Sequence, residues 1–477
     1  MSFGWGWRAD PSFGGRKIML GKALQPEIEE LIEKRHFDEL RELFVELEIP
    51  DVAEIVADLS PKDQAVVFRI LPAGLAADVF EYLPLEDQEQ LMHNLSMEAV
   101  GELLNSMAPD DRTRLLEELP GSVTQRLLKT LNPDELRIAR TLLGYPDQSI
   151  GRLMTPDYVA VQPEWTIDQM MKHIRKVGIE SETINVIYVI DPKGHLLDDI
   201  KLRQIVMADP DKRVEDLMNH SFTSLLATDD QEVAVAAFRK YDRTALPVTD
   251  SQGVLLGIVT LDDALEVAEE EATEDIQKLG GMEALDMPYM NVGLGEMIRK
   301  RAGWLVILFL GEMMTSTAMS YFEFTISKAV VLALFIPLII SSGGNSGSQA
   351  ASLVIRALAL GEITMKDWWA VVRRELLTGL ALGFILGGIG FARVAISSLF
   401  TTMYGPHEYW VATTIAVTLV GVVTWGTLVG SMLPIILRRF GLDPAVSSAP
   451  FVATLVDVVG IVIYFSIAVL LLTGRVL

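Results

Sequence analysis

Apolar and polar residues follow three different patterns along the chain. In residues 24–149, apolar residues recur at helical spacing, and prolines recur every 23 to 25 residues, at Pro61, Pro84, Pro109 and Pro133. Each proline is followed within three residues by an aspartate, as is typical of the first turn of a helix. The fixed period predicts an all-α superhelical N domain, with a plain helical bundle as the alternative.

A second repeat, of β-branched and amphipathic segments, occupies residues 150–264. Segment 186–191 aligns with segment 244–250, and each is followed by a turn glycine, Gly194 or Gly253. Short β-branched runs between amphipathic stretches predict two β-α-β-β-α units, and therefore an α/β region.

The second copy of this repeat carries the sequence Gly-Ile-Val-Thr-Leu-Asp-Asp at residues 257–263. With this signature, the region resembles a tandem pair of cystathionine-β-synthase (CBS) domains. The resemblance implies an adenosine ribose site at Thr260 and Asp263, and hence ATP as a ligand. The first copy lacks the matching threonine and final aspartate, so at most one nucleotide site is implied for the pair.

Residues 265–301 are acidic at their beginning and basic at their end. We predict a long connecting helix that breaks near Gly280 and Gly281 and ends in the basic residues 299–301. Its position between two different domains suggests a coupling element. Residues 1–23 are rich in Gly and Trp and lack the continuous apolar core of a secretory signal, so we predict a flexible tail there.

The region 302–477 is dominated by long apolar stretches. Each is long enough to cross the ~30 Å hydrocarbon core of a lipid bilayer as a helix. The predicted spans are 302–322, 328–359, 368–398, 409–437 and 445–472. Basic residues cluster before the first span and after the second and fourth. This distribution predicts a cytosolic N-terminus, a C-terminus outside, and a multi-pass location in the plasma (inner) membrane.

The charge balance narrows the possible ligands. Of the 40 basic and 64 acidic residues, 30 basic and 56 acidic ones lie in residues 1–300. Such an acidic region argues against nucleic acids and suits cations. The absence of cysteine excludes thiol chemistry and disulfides. No catalytic constellation or phosphate-binding loop is visible, so the chain is predicted not to be an enzyme, and passive conduction is favoured over pumping.

Polar residues within the apolar stretches are the candidates for an ion pathway. Asp457 lies inside the fifth stretch, where a carboxylate costs about 3 kcal/mol on insertion scales. Residues 341–349 form a Ser/Gly/Asn-rich run for which we expect irregular backbone, tolerated only against protein or water. We also expect Pro337, Pro434 and Pro450 to kink three spans and to free carbonyl groups.

The whole chain from residue 24 resembles the MgtE family of magnesium channels. The resemblance rests on residues 337–351, on the run 443–446 with 450–457, and on 271–276. It implies a homodimer with a pore on the twofold axis, where Asp457 and the carbonyl of Ala453 bind hydrated Mg²⁺. The implied pore-lining residues are Gly343, Gly344, Asn345, Gln349, Pro450 and Thr454.

The resemblance further implies that cytosolic Mg²⁺ closes the pore by joining acidic surfaces of the N domain, the CBS pair and the connecting "plug" helix. The implied regulatory residues are Asp78, Asp110, Asp230, Glu232, Asp242, Asp263, Glu266, Glu271, Glu274, Asp275 and Asp443. Two positions depart from the family pattern, because Arg114 and Gln204 stand where an acid can occur. Fewer or weaker sensor sites are therefore expected.

Two other functions remain open at this point. A coupled transporter for a divalent ion needs further ionisable groups in the membrane, and Glu312 in the first span is one candidate. A non-transporting receptor that senses adenine nucleotides through its CBS pair leaves Asp457 without a role.

Overall fold

The computed structural model describes residues 20–285, 289–290, 292–400 and 407–474. The tail predicted for residues 1–23 therefore lies, up to residue 19, outside the described residues. The chain forms two compact units, one up to Ala268 and one from Glu269 onward, which are described separately.

Over its described residues, the first part of the N-terminal unit consists of ten helices. They are α1 (Leu20–Glu33), α2 (Phe37–Glu46), α3 (Ile49–Ala57), α4 (Pro61–Ile70), α5 (Ala73–Glu81), α6 (Leu85–Asn94), α7 (Met97–Ser106), α8 (Pro109–Glu118), α9 (Gly121–Leu127) and α10 (Pro133–Leu142). Pro61, Pro109 and Pro133 are first residues of helices, and Pro84 immediately precedes α6. Helices two apart in the chain pack on each other, as in α3 on α5 and α5 on α7. The helical N domain predicted from the proline period is confirmed.

Two copies of a β-α-β-β-α unit follow, after the short helix α11 (Ile150–Leu153). Their elements are β1 (Ala160–Val161), α12 (Ile167–Val177), β2 (Val186–Ile190), β3 (Leu196–Lys201), α13 (Leu202–Val206), β4 (Leu225–Leu226), α14 (Gln231–Tyr241), β5 (Ala245–Thr249), β6 (Leu255–Thr260) and α15 (Leu261–Leu279). In each three-stranded sheet, the first strand is parallel to the second and the third is antiparallel. Gly194 and Gly253 adopt positive φ angles of 88° and 85° in the equivalent turns, where a side chain would be strained. The predicted repeat is confirmed.

The connecting segment begins and ends elsewhere than predicted. Helix α15 starts directly after β6, four residues before the expected start, and ends at Leu279. Gly281 follows with a φ of +73°, so the predicted break is present. The basic residues 299–301 lie inside the first membrane helix, and no separate piece of connecting helix ends there.

Five helices in the described part of the chain are long and apolar enough to cross a membrane. The spans are Leu294–Tyr321, Val330–Ala359, Met365–Ser397, Glu408–Arg439 and Ala449–Leu472. The helices of this region are α16 (Leu294–Tyr321), α17 (Glu323–Lys328), α18 (Val330–Ala333), α19 (Ile336–Ala359), α20 (Trp368–Ser397), α21 (Glu408–Arg439) and α22 (Ala449–Leu472). The second span is broken between α18 and α19, where the hydroxyl of Tyr464 donates a 2.8 Å hydrogen bond to the Leu332 carbonyl.

Two expectations about the membrane backbone are wrong. The Ser/Gly/Asn-rich run 341–349 is regular α-helix within α19. Pro450 occupies the first turn of α22, where the missing N–H has no helical partner to lose, so it does not kink the fifth span. Pro337 lies in the first turn of α19, directly after the break in the second span. Only Pro434 lies inside a helix, in α21.

The small residues of α19 serve close helix packing. A Cβ atom at Gly426 of α21 would lie 2.4 Å from the carbonyl oxygen of Gly343, and one at Gly430 only 2.0 Å from that of Gly347. Helix backbones therefore touch along this crossing, as small residues four apart allow.

Candidate functional sites

The candidate pore site lies where α22 meets α19. Asp457 is half-buried on α22. A Cβ atom at Gly344 of α19 would lie 3.3 Å from the Cβ of Ala453 and 3.8 Å from Oδ1 of Asp457. The absence of a side chain at Gly344 therefore leaves space beside the carboxylate. The fold brings together three of the residues predicted from sequence, Gly344, Ala453 and Asp457.

Apart from Pro450, which lies in the first turn of α22, the remaining predicted pore residues fall into two groups. Asn345 and Gln349 lie one turn apart on one face of α19, and both are exposed in the single subunit. Gly343 and Thr454 are instead buried within the subunit: Gly343 packs on Val422 and Val456, and the Thr454 hydroxyl donates a 3.0 Å hydrogen bond to the Pro450 carbonyl. Only the first group presents polar atoms at a surface.

No ion pair or hydrogen bond found among the described residues involves the carboxylate of Asp457. The charged side chain that acts on Asp457 is Glu312 of α16, whose carboxylate repels that of Asp457. Within the described ranges, no three His, Asp or Glu side chains of one subunit are arranged to hold a metal ion. One subunit thus offers an unneutralised carboxylate and an incomplete set of ligands.

A separate group of carboxylates lies inside the N-terminal unit. Burial, followed by the negative charges of Asp263 and Asp111, raises the pKa of Asp110 well above its ordinary value. Burial also raises the pKa of Glu81 to about 8, with Asp111 adding to the effect. The pKa of Asp263 is raised to about 7 mainly by burial. These groups come from α5, α8 and α15, so helices distant in sequence bring like charges together.

The carboxylate group has oxygen atoms of the kind that bind cations, although no three of its side chains are arranged to hold a metal ion within the described ranges. Asp110 is 8% exposed, and its Oδ1 is buried without a hydrogen-bond partner among the described residues. A buried, unpaired carboxylate oxygen amid like charges is unfavourable unless a proton or a cation neutralises it. Oxygen ligands of this kind are those that Mg²⁺ binds.

Part of this carboxylate group was predicted from the sequence, namely Asp78, Asp110 and Asp263, and burial raises the pKa of Asp78 as well. Three members were not predicted: Glu81, Asp111 and Glu182. Their pKa values are also raised, with burial as the largest cause. Asp111 follows Asp110, and Glu81 lies one turn after Asp78, so helical spacing pointed to these two. No sequence signal marked Glu182, which lies in the loop before β2.

Arg114 lies at one edge of this group and brings a positive charge to it. Its guanidinium forms an ion pair with Glu266 and lowers the pKa of Asp111, which burial raises to about 6 overall. Glu266, predicted as a metal ligand, therefore already has a cationic partner. The weaker sensor site expected from Arg114 stays a prediction.

The predicted ligands of α14 lie at opposite ends of that helix. Asp230 caps its N-terminus by accepting a 2.9 Å hydrogen bond from the backbone N–H of Glu232. Asp242 is the left-handed residue after its C-terminus, with a φ of +51°. At about 1.5 Å per residue, the two ends lie roughly 18 Å apart, too far for one metal site within a subunit.

In the membrane unit, Lys278 occupies the space between two predicted metal ligands. Its ammonium lies 2.7 Å from Oδ2 of Asp443 and also pairs with Glu274. Burial alone lowers the pKa of Lys278, but the hydrogen bonds to the two carboxylates outweigh burial and raise the pKa above its ordinary value. The other acidic residues predicted in the plug, Glu271 and Asp275, lie on the same helix. The Lys278 ammonium lies between Glu274 and Asp443 in this arrangement.

We expect Lys278→Met to loosen the C-terminal end of α15. The side chains of Lys278, Glu274 and Asp443 are 25%, 27% and 36% exposed, so solvent screens the pair and its loss is worth about 1 kcal/mol. Amide exchange in residues 270–281, followed by mass spectrometry of the full-length protein, should become roughly fivefold faster. Added Mg²⁺ should reverse the change, since it can replace the ammonium.

Lys366→Met is the matched control for the Lys278 variant, because Lys366 is exposed between α19 and α20. It should leave exchange in residues 270–281 unchanged. Equal exchange in wild type and Lys278→Met would show that the ion pair does not hold this end of α15.

The residues proposed for nucleotide binding contact each other. The Thr260 hydroxyl donates a hydrogen bond to Asp263, and the backbone N–H of Thr260 donates a second one of 3.2 Å. Asp263 thus belongs both to this pair and to the carboxylate group around Asp110.

These features define a multi-pass membrane protein with an acidic helical domain and a CBS pair on its N-terminal side. A protein-family model described as a divalent cation transporter matches residues 336–467, the MgtE intracellular N domain matches 47–148, and a CBS domain matches 214–270. The chain belongs to the MgtE family.

Relatives and a solved structure support this assignment. The magnesium transporter MgtE of Thermus thermophilus is 40% identical over 348 residues, which are 73% of this chain and 75% of that protein. The magnesium transporter MgtE of Enterococcus faecalis is 33% identical over 69% of this chain and 70% of its own length. The crystal structure of the soluble part of a magnesium transporter superposes with a TM-score of 0.51 at 30% identity, covering 53% of this chain and 99% of that one.

Proposed function

We propose that this protein is a Mg²⁺-selective channel for magnesium uptake, closed by Mg²⁺ that binds its cytosolic domains. The observation that carries the proposal is Asp457, a carboxylate within a membrane helix that lacks a neutralising partner among the described residues. The magnesium transporters to which the chain is similar agree with the choice of ion.

A homodimer completes the ion site. Mg²⁺ surrenders its tightly held water shell reluctantly and is commonly bound by one or two carboxylates through several retained waters. Two copies of Asp457 facing a shared axis supply such a pair, and the Ala453 carbonyls supply further acceptors. Gly344 leaves space for the hydrated ion beside the carboxylate, and the polar side chains of Asn345 and Gln349 line the approach to it.

In this proposal, the pore closes when Mg²⁺ binds the carboxylate group of the N-terminal unit. Its raised pKa values mean that bringing these acids together is unfavourable when they are ionised. A divalent cation that binds only the closely packed arrangement shifts the population toward it. We assign this role first to Asp110 and Asp263, with Asp78, Glu81, Asp111 and Glu182 around them.

The other regulatory assignments depend on contacts between subunits or on rearrangement. Asp230, Glu232 and Asp242 lie too far apart for one site within a subunit, so they would need acids from a second copy. Glu271 and Asp275 are assigned to the plug. Glu274, Asp443 and Glu266 bind metal only after Lys278 or Arg114 moves away.

Orientation and nucleotide binding complete the proposal. The basic residues near the first, second and fourth spans support a cytosolic N-terminal unit and a C-terminus outside the plasma (inner) membrane. ATP is assigned to Thr260 and Asp263. Because Asp263 serves both the nucleotide and the regulatory metal in this scheme, ATP and Mg²⁺ affinities should depend on each other.

Flux measurements test conduction and closure together. In vesicles whose lumen corresponds to the cytosol, we expect Mg²⁺ influx through the wild-type protein to fall roughly tenfold as lumenal Mg²⁺ rises from chelated to millimolar levels. A trapped Mg²⁺-sensitive dye or ²⁸Mg reports the influx. An influx rate that does not change with lumenal Mg²⁺ would contradict closure by cytosolic Mg²⁺. An influx rate that depends on an imposed proton gradient would instead favour coupled transport.

A further inference from the structure

Glu312 stands out among the membrane residues because its charge is otherwise unexplained. It lies in α16, 11 residues after Arg301. At about 1.5 Å per residue this is roughly 16 Å, half of the ~30 Å hydrocarbon thickness. Asp457 lies eight residues after the start of α22 at Ala449, about 12 Å along that helix. Both carboxylates therefore lie deep in the membrane.

Lipid is a poor environment for the Glu312 side chain. In the single subunit Glu312 is exposed, and it takes part in no hydrogen bond or ion pair found among the described residues. A charge facing hydrocarbon at this depth costs about 3 kcal/mol or more. Such side chains face water or other protein instead of lipid. The contact that α16 makes with its neighbours shows which of these lies next to Glu312.

A close contact between α16 and α22 places Glu312 near Asp457. A Cβ atom at Gly311 would lie 2.4 Å from Cγ2 of Thr454, so glycine is required for this approach. Glu312 is the next residue on α16, and Asp457 lies three residues after Thr454 on α22. The two carboxylates are accordingly close enough to repel each other.

A second unpaired polar group lies beside them. The Thr315 side chain, one turn beyond Glu312, is 7% exposed, and its hydroxyl has no hydrogen-bond partner in the described part of the chain. The carboxylates of Glu312 and Asp457 and the hydroxyl of Thr315 thus lie near the contact between α16 and α22, and none of them has a hydrogen-bond partner among the described residues. Water and a passing divalent ion would satisfy all three groups.

We propose that Glu312 is a second acidic residue of the permeation pathway, which raises the local concentration of divalent cations next to Asp457. The proposal rests on the proposed channel function. The negative charge attracts the ion electrostatically and need not contact it directly, so removing the charge weakens ion entry more than it slows the movement of a bound ion. Glu312 is in this sense a specificity-determining residue.

Flux measured against external Mg²⁺ tests this role in the full-length protein. Glu312→Gln is expected to raise the half-saturating Mg²⁺ concentration roughly tenfold and to change the maximal rate much less. Glu312→Asp, which keeps the charge, should restore most of the wild-type affinity. Glu296→Gln is the matched control, since it removes a glutamate from the first turn of the same helix and should behave as wild type.

The absence of cysteine from the chain allows a second, independent test. In Glu312→Cys, a negatively charged methanethiosulfonate reagent should restore Mg²⁺ affinity, whereas a positively charged one should lower flux further. Leu310→Cys lies on the opposite side of α16. We expect it to face lipid and not to react, because Leu310 is an exposed apolar residue of a membrane helix. This test applies even if the glutamine variant proves unstable.

The outcomes separate the two proposals. If Asp457→Asn abolishes flux while Glu312→Gln retains wild-type affinity, or if the thiol introduced by Glu312→Cys is not labelled in the folded protein, the role of Glu312 is overturned and the channel stands. If Asp457→Asn conducts normally, the channel mechanism itself is overturned.

Discussion

Asp457→Ala should lower Mg²⁺ flux at least about 100-fold while leaving the protein folded. The carboxylate takes part in no hydrogen bond or ion pair found among the described residues, so its removal breaks no structural contact. In the proposed pore, its loss removes the negative charge that would stabilise a divalent ion in a low-dielectric setting. A loss of about 3 kcal/mol of ion stabilisation corresponds to this 100-fold reduction.

The Asp457 experiment needs controls for folding and for general loss of charge. Glu362→Gln removes an exposed acid from the loop between α19 and α20 and should conduct as wild type. Asp457→Asn keeps the size of the side chain and should fail like alanine, since the charge is what matters. Flux in Asp457→Ala equal to that of wild type, at equal reconstitution, would reject the pore assignment.

Gly430→Ala should have the largest effect on stability. The added Cβ atom would lie 2.0 Å from the carbonyl oxygen of Gly347 and 2.7 Å from the carbonyl carbon. These are backbone atoms in the middle of α19, and they cannot move without separating α19 from α21. Overpacking of this kind costs about 3 kcal/mol or more, which corresponds to a fall of roughly 10 °C in melting temperature.

Thermal unfolding in detergent, followed by size-exclusion chromatography, measures the effect of Gly430→Ala. Gly388→Ala is the matched control, because a Cβ atom at Gly388 in α20 would meet nothing within 4 Å. The control should unfold at the wild-type temperature or slightly above it, since alanine favours the helix. Equal stability of the two variants would show that the α19–α21 crossing is looser than the structure has it. Because α19 also carries Gly344, any Gly430→Ala protein that does fold should conduct poorly.

Part of the candidate sites was predictable because the signal is local. A carboxylate inside an apolar stretch marks Asp457 from sequence alone, since lipid makes such a residue costly wherever the helix lies. Prolines followed by acids marked the starts of α4, α8 and α10, because helix initiation depends on adjacent residues. The same rule, applied to Pro337 and Pro450, would have placed them at helix starts instead of at kinks.

Other parts were not predictable because they depend on which surfaces meet. Glu81 and Asp263 are 182 residues apart in sequence, and only packing within the N-terminal unit places them in one carboxylate group. Lys278 reaches Asp443 over 165 residues. A lysine side chain on an acidic helix gave no indication of which carboxylate it would neutralise.

The sequence by itself determined the order of domains, the repeats and the membrane spans, because helix starts, strand alternation and hydrophobic length are properties of neighbouring residues. The tertiary structure decided which acids share a site, which already have an arginine or lysine partner, and which glycines serve packing instead of an ion pathway. Burial and electrostatic interactions depend on distances between elements far apart in the chain, and these distances are set only when the helices pack.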